Sequence, residues 1–218
     1  MKNINGFTLS EALITLAIIG VIAAITLPSI IQKYKRLVAS TRLKHFYSMM
    51  SQAILSSEID NGPSKNWTKD AMAYNADGTN DSETNRSYAL KYFYTYIEPY
   101  IKHSNIIEED STYHVYVYLF NGSYFRIHNG TCIDFAFDVN AGKPPNEHGK
   151  DMFRFLLCPE NYANYYCGST VKNFCTYTPK YTSDREQALK YCKTSAFYCA
   201  RLLELDGWEF KDDYPYKL

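Results

Sequence analysis

The chain has 218 residues, with 23 lysines and arginines against 23 aspartates and glutamates, so its formal net charge at pH 7 is zero. That balance excludes a global field that would draw in nucleic acid, anionic lipid or acidic ligands. Hydrophobic residues make up 46% of the chain, and beyond one membrane span the remaining ~160 residues are enough to bury a single core of ordinary domain size.

The first segment, MKNINGFTLSEALITLAIIGVIAAITLPSII, sets a short polar leader ending at Gly6 against a long apolar stretch broken by one acid, Glu11. A secretory signal carries its small-residue cleavage site after the apolar core, which is then discarded. Here the small residue comes first, so the apolar part is retained. As a helix, residues 7–31 reach roughly 37 Å at ~1.5 Å per residue, enough to cross a hydrocarbon core of ~30 Å.

Gly6, the Phe7-Thr8-Leu9-Ser10-Glu11 start, the apolar helix and Pro28 near its end resemble the N-terminus of type IV pilins and of the pseudopilins of type II secretion. The resemblance implies that a prepilin peptidase cleaves after Gly6 and methylates Phe7. It implies a single-pass anchor in the bacterial inner membrane with the C-terminal domain outside the cytoplasm, and later a place in a pilus or pseudopilus filament. The partners it brings are other pilin or pseudopilin subunits, the prepilin peptidase, the inner-membrane assembly platform and the membrane itself. No nucleic-acid or small-molecule ligand is indicated. The division it suggests is a leader over 1–6, a membrane and filament-core helix over 7–31, and a pilin-like globular domain over 32–218.

Glu11 is the residue on which physics and resemblance meet. A carboxylate within an apolar helix costs ~2.5–3.5 kcal/mol at the bilayer centre, less near the interface, and calls for a partner. No Lys, Arg or His lies between Phe7 and Gln32. The available cation is the α-amino group that cleavage would create at Phe7, in the same chain or in a neighbouring subunit, and the helix N-terminus itself favours negative charge. One rule points the other way: Lys33, Lys35, Arg36, Arg42 and Lys44 follow the helix while Lys2 alone precedes it, so positive-inside counting would leave the domain in the cytoplasm. Long C-terminal domains translocate despite flanking charge, and the cysteine content argues for an oxidising side.

After Pro28 the helix is expected to continue over 32–60, because Ala39, Leu43, Phe46, Met50 and Ala53 recur at heptad spacing. Asp60-Asn61-Gly62-Pro63 stops it. Residues 64–87 read as a loop and 88–102 as a short aromatic helix. Strands are expected over 113–120, 124–128, 131–139 and 152–157, the first two joined by the Asn121-Gly122 turn. Residues 158–183 read as irregular, and 184–206 as one helix capped by Ser183 or Asp184 and closed by Gly207. The fold class is therefore α+β and pilin-like: a long N-terminal helix on an antiparallel meander, followed by a disulfide-bearing C-terminal loop and helix.

Six cysteines, Cys132, Cys158, Cys167, Cys175, Cys192 and Cys199, include no C-x-x-C and no ligand-like spacing with histidine, which favours disulfides over a metal site. On one unbroken helix Cys192 and Cys199 stand ~10 Å apart along the axis, beyond the ~7 Å Cα reach of a disulfide. Each is therefore expected to pair with one of the other four.

No nucleophile elbow, zinc-protease motif, Walker loop or dinucleotide glycine motif is present, and His45, His103, His114, His128 and His148 are scattered. The reading is of a structural subunit and not an enzyme. The stretch from Asp138 through Asn140 and Asn146 to Asp151 is similar to a loop found late in many pilin-like sequences, although Ala141 stands where a glycine is expected. Some pseudopilins hold calcium in such a loop, so Asp138, Asn140, Asn146 and Asp151 form the candidate ligand set and calcium the one candidate cofactor; the alternative is that these residues cap the turn. Two other functional readings stand beside the structural subunit: a minor or tip pilin that adheres or takes up DNA, and a secreted or signal-anchored binding protein, which a cut near Ala24 would favour.

Overall fold

The computed structural model describes residues 8–109, 114–169 and 172–218. Helix α1, Leu9–Asn61, runs without interruption for 53 residues, including Pro28, a length of ~80 Å. Its two halves live in different surroundings. Residues 9–31 are almost wholly exposed, while Ala39, Leu43, Phe46, Met50 and Ala53 are completely covered. The heptad stripe of the sequence is the face that packs, and Gly62, at φ 73°, ends the helix.

The rest of the chain supplies α2 (Ser82–Tyr96), β1 (Asn105–Glu109), β2 (His114–Tyr118), β3 (Tyr124–Asn129), β4 (Ile133–Asp138) and β5 (Met152–Leu157). Beyond them lie α3 (Glu160–Cys167), β6 (Phe174–Thr176), α4 (Arg185–Thr194) and α5 (Cys199–Leu205). The six strands form one antiparallel meander in the order β1-β2-β3-β4-β5-β6. Alternation then sorts the side chains. Val115, Val117, Phe125, Ile127, Phe135, Phe137, Phe153 and Phe155 fall on one face and are buried. Phe46 of α1 seats among them, its ring centroid 4.3 Å from Phe137, 5.0 Å from Phe155 and 5.4 Å from Phe125.

Four expectations need correction. The helix expected over 88–102 is α2, which begins at Ser82 and gives way to a 3-10 turn at Glu98–Tyr100. Asp81, within the segment expected to be a loop, accepts the N–H of Thr84 at 3.0 Å and caps the helix. The sheet gains edge strands β1, whose Asn-Ile-Ile-Glu-Glu does not alternate, and β6, which at three residues is too short to. The segment expected to be irregular holds α3, which starts behind Pro159 and ends at Gly168 in the left-handed region. Most consequentially, the helix expected over 184–206 is broken: α4 ends at Thr194, Ser195 is extended, and a 3-10 turn over Ala196–Tyr198 leads into α5.

That break reverses the cysteine inference. Cys192 and Cys199 come to a Cα separation of 4.4 Å and pair with each other, alongside Cys132–Cys158 and Cys167–Cys175. The backbone carbonyl of Cys192, at the end of α4, accepts the Tyr216 hydroxyl at 3.2 Å, so the interrupted helix end is not left bare.

Candidate membrane-insertion and assembly site

The N-terminal half of α1 is long and apolar enough to cross a membrane, with a mean hydropathy of 2.5 in its most apolar stretch and none of that stretch covered by the rest of the chain. Leu9, Leu13, Ile14, Leu16, Ile18 and Ile19 are exposed. A stripe of this size without a cover is not a water-facing surface. Gly6 and Phe7, the expected processing point, lie outside the described residues.

Glu11 sits in the first turn and closes a capping box. Its Oε2 accepts the backbone N–H of Thr8 at 2.8 Å and the Thr8 hydroxyl at 2.7 Å, while the Glu11 N–H donates to Thr8 Oγ1 at 3.3 Å. Two of the helix's otherwise unpaired N–H groups are thereby satisfied from within the chain itself. The T-x-x-E spacing of Thr8 and Glu11 is a capping-box signal readable in the sequence. Both described contacts fall on one carboxylate oxygen.

The 138–151 loop sits where α1 leaves the apolar region and enters the domain. Arg42 of α1 donates to the carbonyl of Val139. Asp138, Asn140 and Asp151 are brought together, and Asp151 organises the turn: its carboxylate accepts the N–H of Asn146 at 2.8 Å, the N–H of Glu147 at 2.7 Å and the side-chain amide of Asn140 at 3.1 Å. Asp138 accepts the N–H of Asn140 at 2.8 Å, and the Asn146 amide turns back to the Gly142 carbonyl at 3.1 Å.

Against this geometry calcium fits poorly. Asp151 and Asn146 direct their polar atoms into the loop itself, leaving Asp138 Oδ2 and Asn140 Oδ1 as the buried oxygens without hydrogen-bond partners. To reach the six to eight oxygens that calcium takes, the loop would have to add backbone carbonyls to these two and give up hydrogen bonds that Asp151 and Asn146 already make. Among the described residues no group of three or more His, Cys, Asp or Glu is placed to hold a metal.

The C-terminal tail locks the loop to the domain. The Tyr214 hydroxyl donates to the carbonyl of Gly149 at 2.7 Å, and Arg36 of α1 reaches the carbonyl of Phe210 at 3.4 Å. Gly149, at φ 77°, leaves only 3.0 Å between an added Cβ and the Tyr216 ring, so the crossing of tail and loop requires glycine. Asp206 takes both Arg185 and Lys211. Trp208 packs with its ring 5.1 Å from Tyr47.

A model of the prokaryotic N-terminal methylation motif matches residues 1–27, and a second, described as a family of unknown function (DUF6613), matches residues 29–218. No curated protein and no solved structure matches the chain. The methylation motif, the long apolar helix and the α+β domain with three disulfides make this a type IV pilin-like protein. With the second model covering nearly all of the domain, the chain belongs to the family of unknown function DUF6613.

Proposed function

We propose that the chain is a pilin-type structural subunit, cleaved between Gly6 and Phe7, methylated at Phe7 and built into a type IV pilus or type II secretion pseudopilus through residues 7–31. The observation that carries this reading is the division of α1: one continuous helix whose C-terminal half is sealed into a domain core and whose N-terminal half has no cover at all. Before assembly the bilayer covers that half; in a filament the same halves of neighbouring subunits cover one another.

In this reading Glu11 bonds Thr8 through one oxygen and meets the methylated amine of an adjacent subunit with the other. Desolvated opposite charges of this kind fix register as well as attract. The domain, held outside the cytoplasm, forms the filament's outer shell.

Intact-mass and N-terminal analysis of protein purified from the native membrane tests the processing step. The expected mature start is N-methylated Phe7. A mature start after Ala23 would remove the apolar half of α1 and end the filament reading.

A further inference from the structure

The face of the sheet turned away from α1 carries a row of charged side chains. On β3 the outward residues are Tyr124, Arg126 and His128; on β4 they are Asp134, Ala136 and Asp138; on β5 Arg154 lies between Met152 and Leu156. The register pairs Arg126 with Ala136 on one side and Ala136 with Arg154 on the other. Two guanidiniums therefore flank one methyl group, their Cα atoms two strand spacings or ~9.6 Å apart.

The small side chain between two long ones leaves a hollow. It has a volume of about 320 Å³ and is lined by His114, Arg126, His128, Asp134, Ala136 and Arg154. This is the size of a cleft that takes a group of about one sugar ring. Arg126 Nε and Arg154 Nε are buried without hydrogen-bond partners. Arg154 is held in place by Phe197, whose ring centre lies 4.6 Å from its Cζ, and His148 packs on the same ring at 4.1 Å. An unpaired N–H on a buried guanidinium costs free energy until something accepts from it.

The charges around the hollow agree. Burial first, and then the positive charges of Arg154 and Arg126, push the imidazole of His148, which lies outside the lining, down to about 4. Burial pushes Asp134 up to about 7, against the pull of Arg154 and Lys69. The lining thus sets two permanent cations against one acid that resists ionising.

We propose that this hollow binds an oxyanion, a single carboxylate or phosphate group carried on a small molecule, between the Arg126 and Arg154 guanidiniums above Ala136. A planar guanidinium presents paired N–H donors that match either group, which a lysine does not. Outside the lining, Phe197 stacks on the Arg154 guanidinium and Tyr116 stands opposite Arg126 in the β2–β3 register, so both arginines have an aromatic neighbour. The site does not rest on the filament reading, since it uses no residue of α1.

The test uses the full chain in uncharged detergent micelles, titrated calorimetrically at low salt with glucuronate, inorganic phosphate and, as the neutral control, glucose. The expected result is saturable binding of an anion at millimolar concentrations or below and none of glucose. Stronger binding of glucuronate assigns the site to acidic sugars, and stronger binding of phosphate assigns it to phosphate. Arg126→Met and Arg154→Met should each weaken binding roughly tenfold or more. Ala136→Leu, which keeps both charges and fills the hollow, should do the same. Melting curves accompany each variant, and Ala136→Leu carries the comparison if an arginine variant fails to fold. No saturable binding of either anion, or unchanged binding in folded Ala136→Leu, would overturn the proposal.

Discussion

Glu11 and Asp134 are two carboxylates with opposite problems. Glu11 enters an apolar segment near its end, where Thr8 gives it two hydrogen bonds. Its substitutions separate capping from charge. Glu11→Gln keeps an oxygen that can accept from the Thr8 N–H and removes the charge, whereas Glu11→Ala removes both. If the carboxylate pairs with a neighbour's amine, both variants remain cleaved and membrane-bound and both fail to enter filaments, as immunogold electron microscopy would show. Normal incorporation of the Gln variant alone would mean that only the cap matters, an effect of about 0.5–2 kcal/mol on the helix start.

Asp134 is caught in the domain, opposite His128 in the β3–β4 register and near Arg154, Lys69, Tyr166 and Tyr177. Its pKa rises to about 7 in the folded protein from an ordinary 3.8. An acid whose folded pKa is raised binds its proton more tightly folded than unfolded, so its contribution is fully present below pH ~4 and is lost as pH climbs to ~7. His128, which burial and then Arg154 hold below its ordinary value, is largely neutral at the upper end of that window. Asp134→Asn, which resembles the protonated acid, should be nearly neutral at pH 4 and stabilise by about 1–3 kcal/mol at pH 8. Thermal melts at the two pH values check it, and equal shifts at both would contradict the assignment.

Among the elements, the 138–151 loop shows how far local sequence carries. Its Asx residues are legible as a turn, and the glycine expected one place early is answered by a backbone that turns left-handed at both Ala141, φ 57°, and Gly142, φ 79°. A non-glycine residue there is strained by roughly 1–2 kcal/mol, of which a glycine's extra unfolded-state entropy takes back ~0.5–1. Ala141→Gly should therefore stabilise by about 0.5–1 kcal/mol in denaturant titrations. Because Asp151 already closes the loop through two backbone N–H groups, melts in calcium and in chelator should coincide.

Where sequence failed, the deciding contact lay far away. The α4–α5 break at Thr194-Ser195 carries no glycine or proline, and what holds it is a disulfide plus a hydroxyl from Tyr216, neither visible from spacing along one helix. The long helix and four of the six strands are written in local periodicity. The Arg126–Ala136–Arg154 row is not, because it exists only once register joins three strands.

At the scale of the whole molecule, two general rules conflict over which side of the membrane the domain occupies. Lys33, Lys35, Arg36, Arg42 and Lys44 argue for the cytoplasm by charge. Three disulfides that use every cysteine argue for an oxidising compartment. The second argument weighs more in the reading proposed above, because long domains translocate despite flanking charge, whereas disulfides are rare in a cytosol that keeps its thiols reduced. The bridges also matter energetically. Cys132–Cys158 closes 26 positions and Cys192–Cys199 only 7, so chain-entropy reasoning gives about 3.5 kcal/mol for the first against about 2.5 for the second. Both are large beside an ordinary domain stability of ~5–15 kcal/mol. Cells quenched in acid and treated with a thiol-alkylating reagent should therefore yield mature protein with no alkyl adduct, and with six adducts only after prior reduction. Protease added to spheroplasts should at the same time remove the domain and leave the apolar half of α1 in the membrane. Six adducts without reduction, together with a domain protected in spheroplasts, would show that the charge rule governs this chain and that the filament reading is wrong.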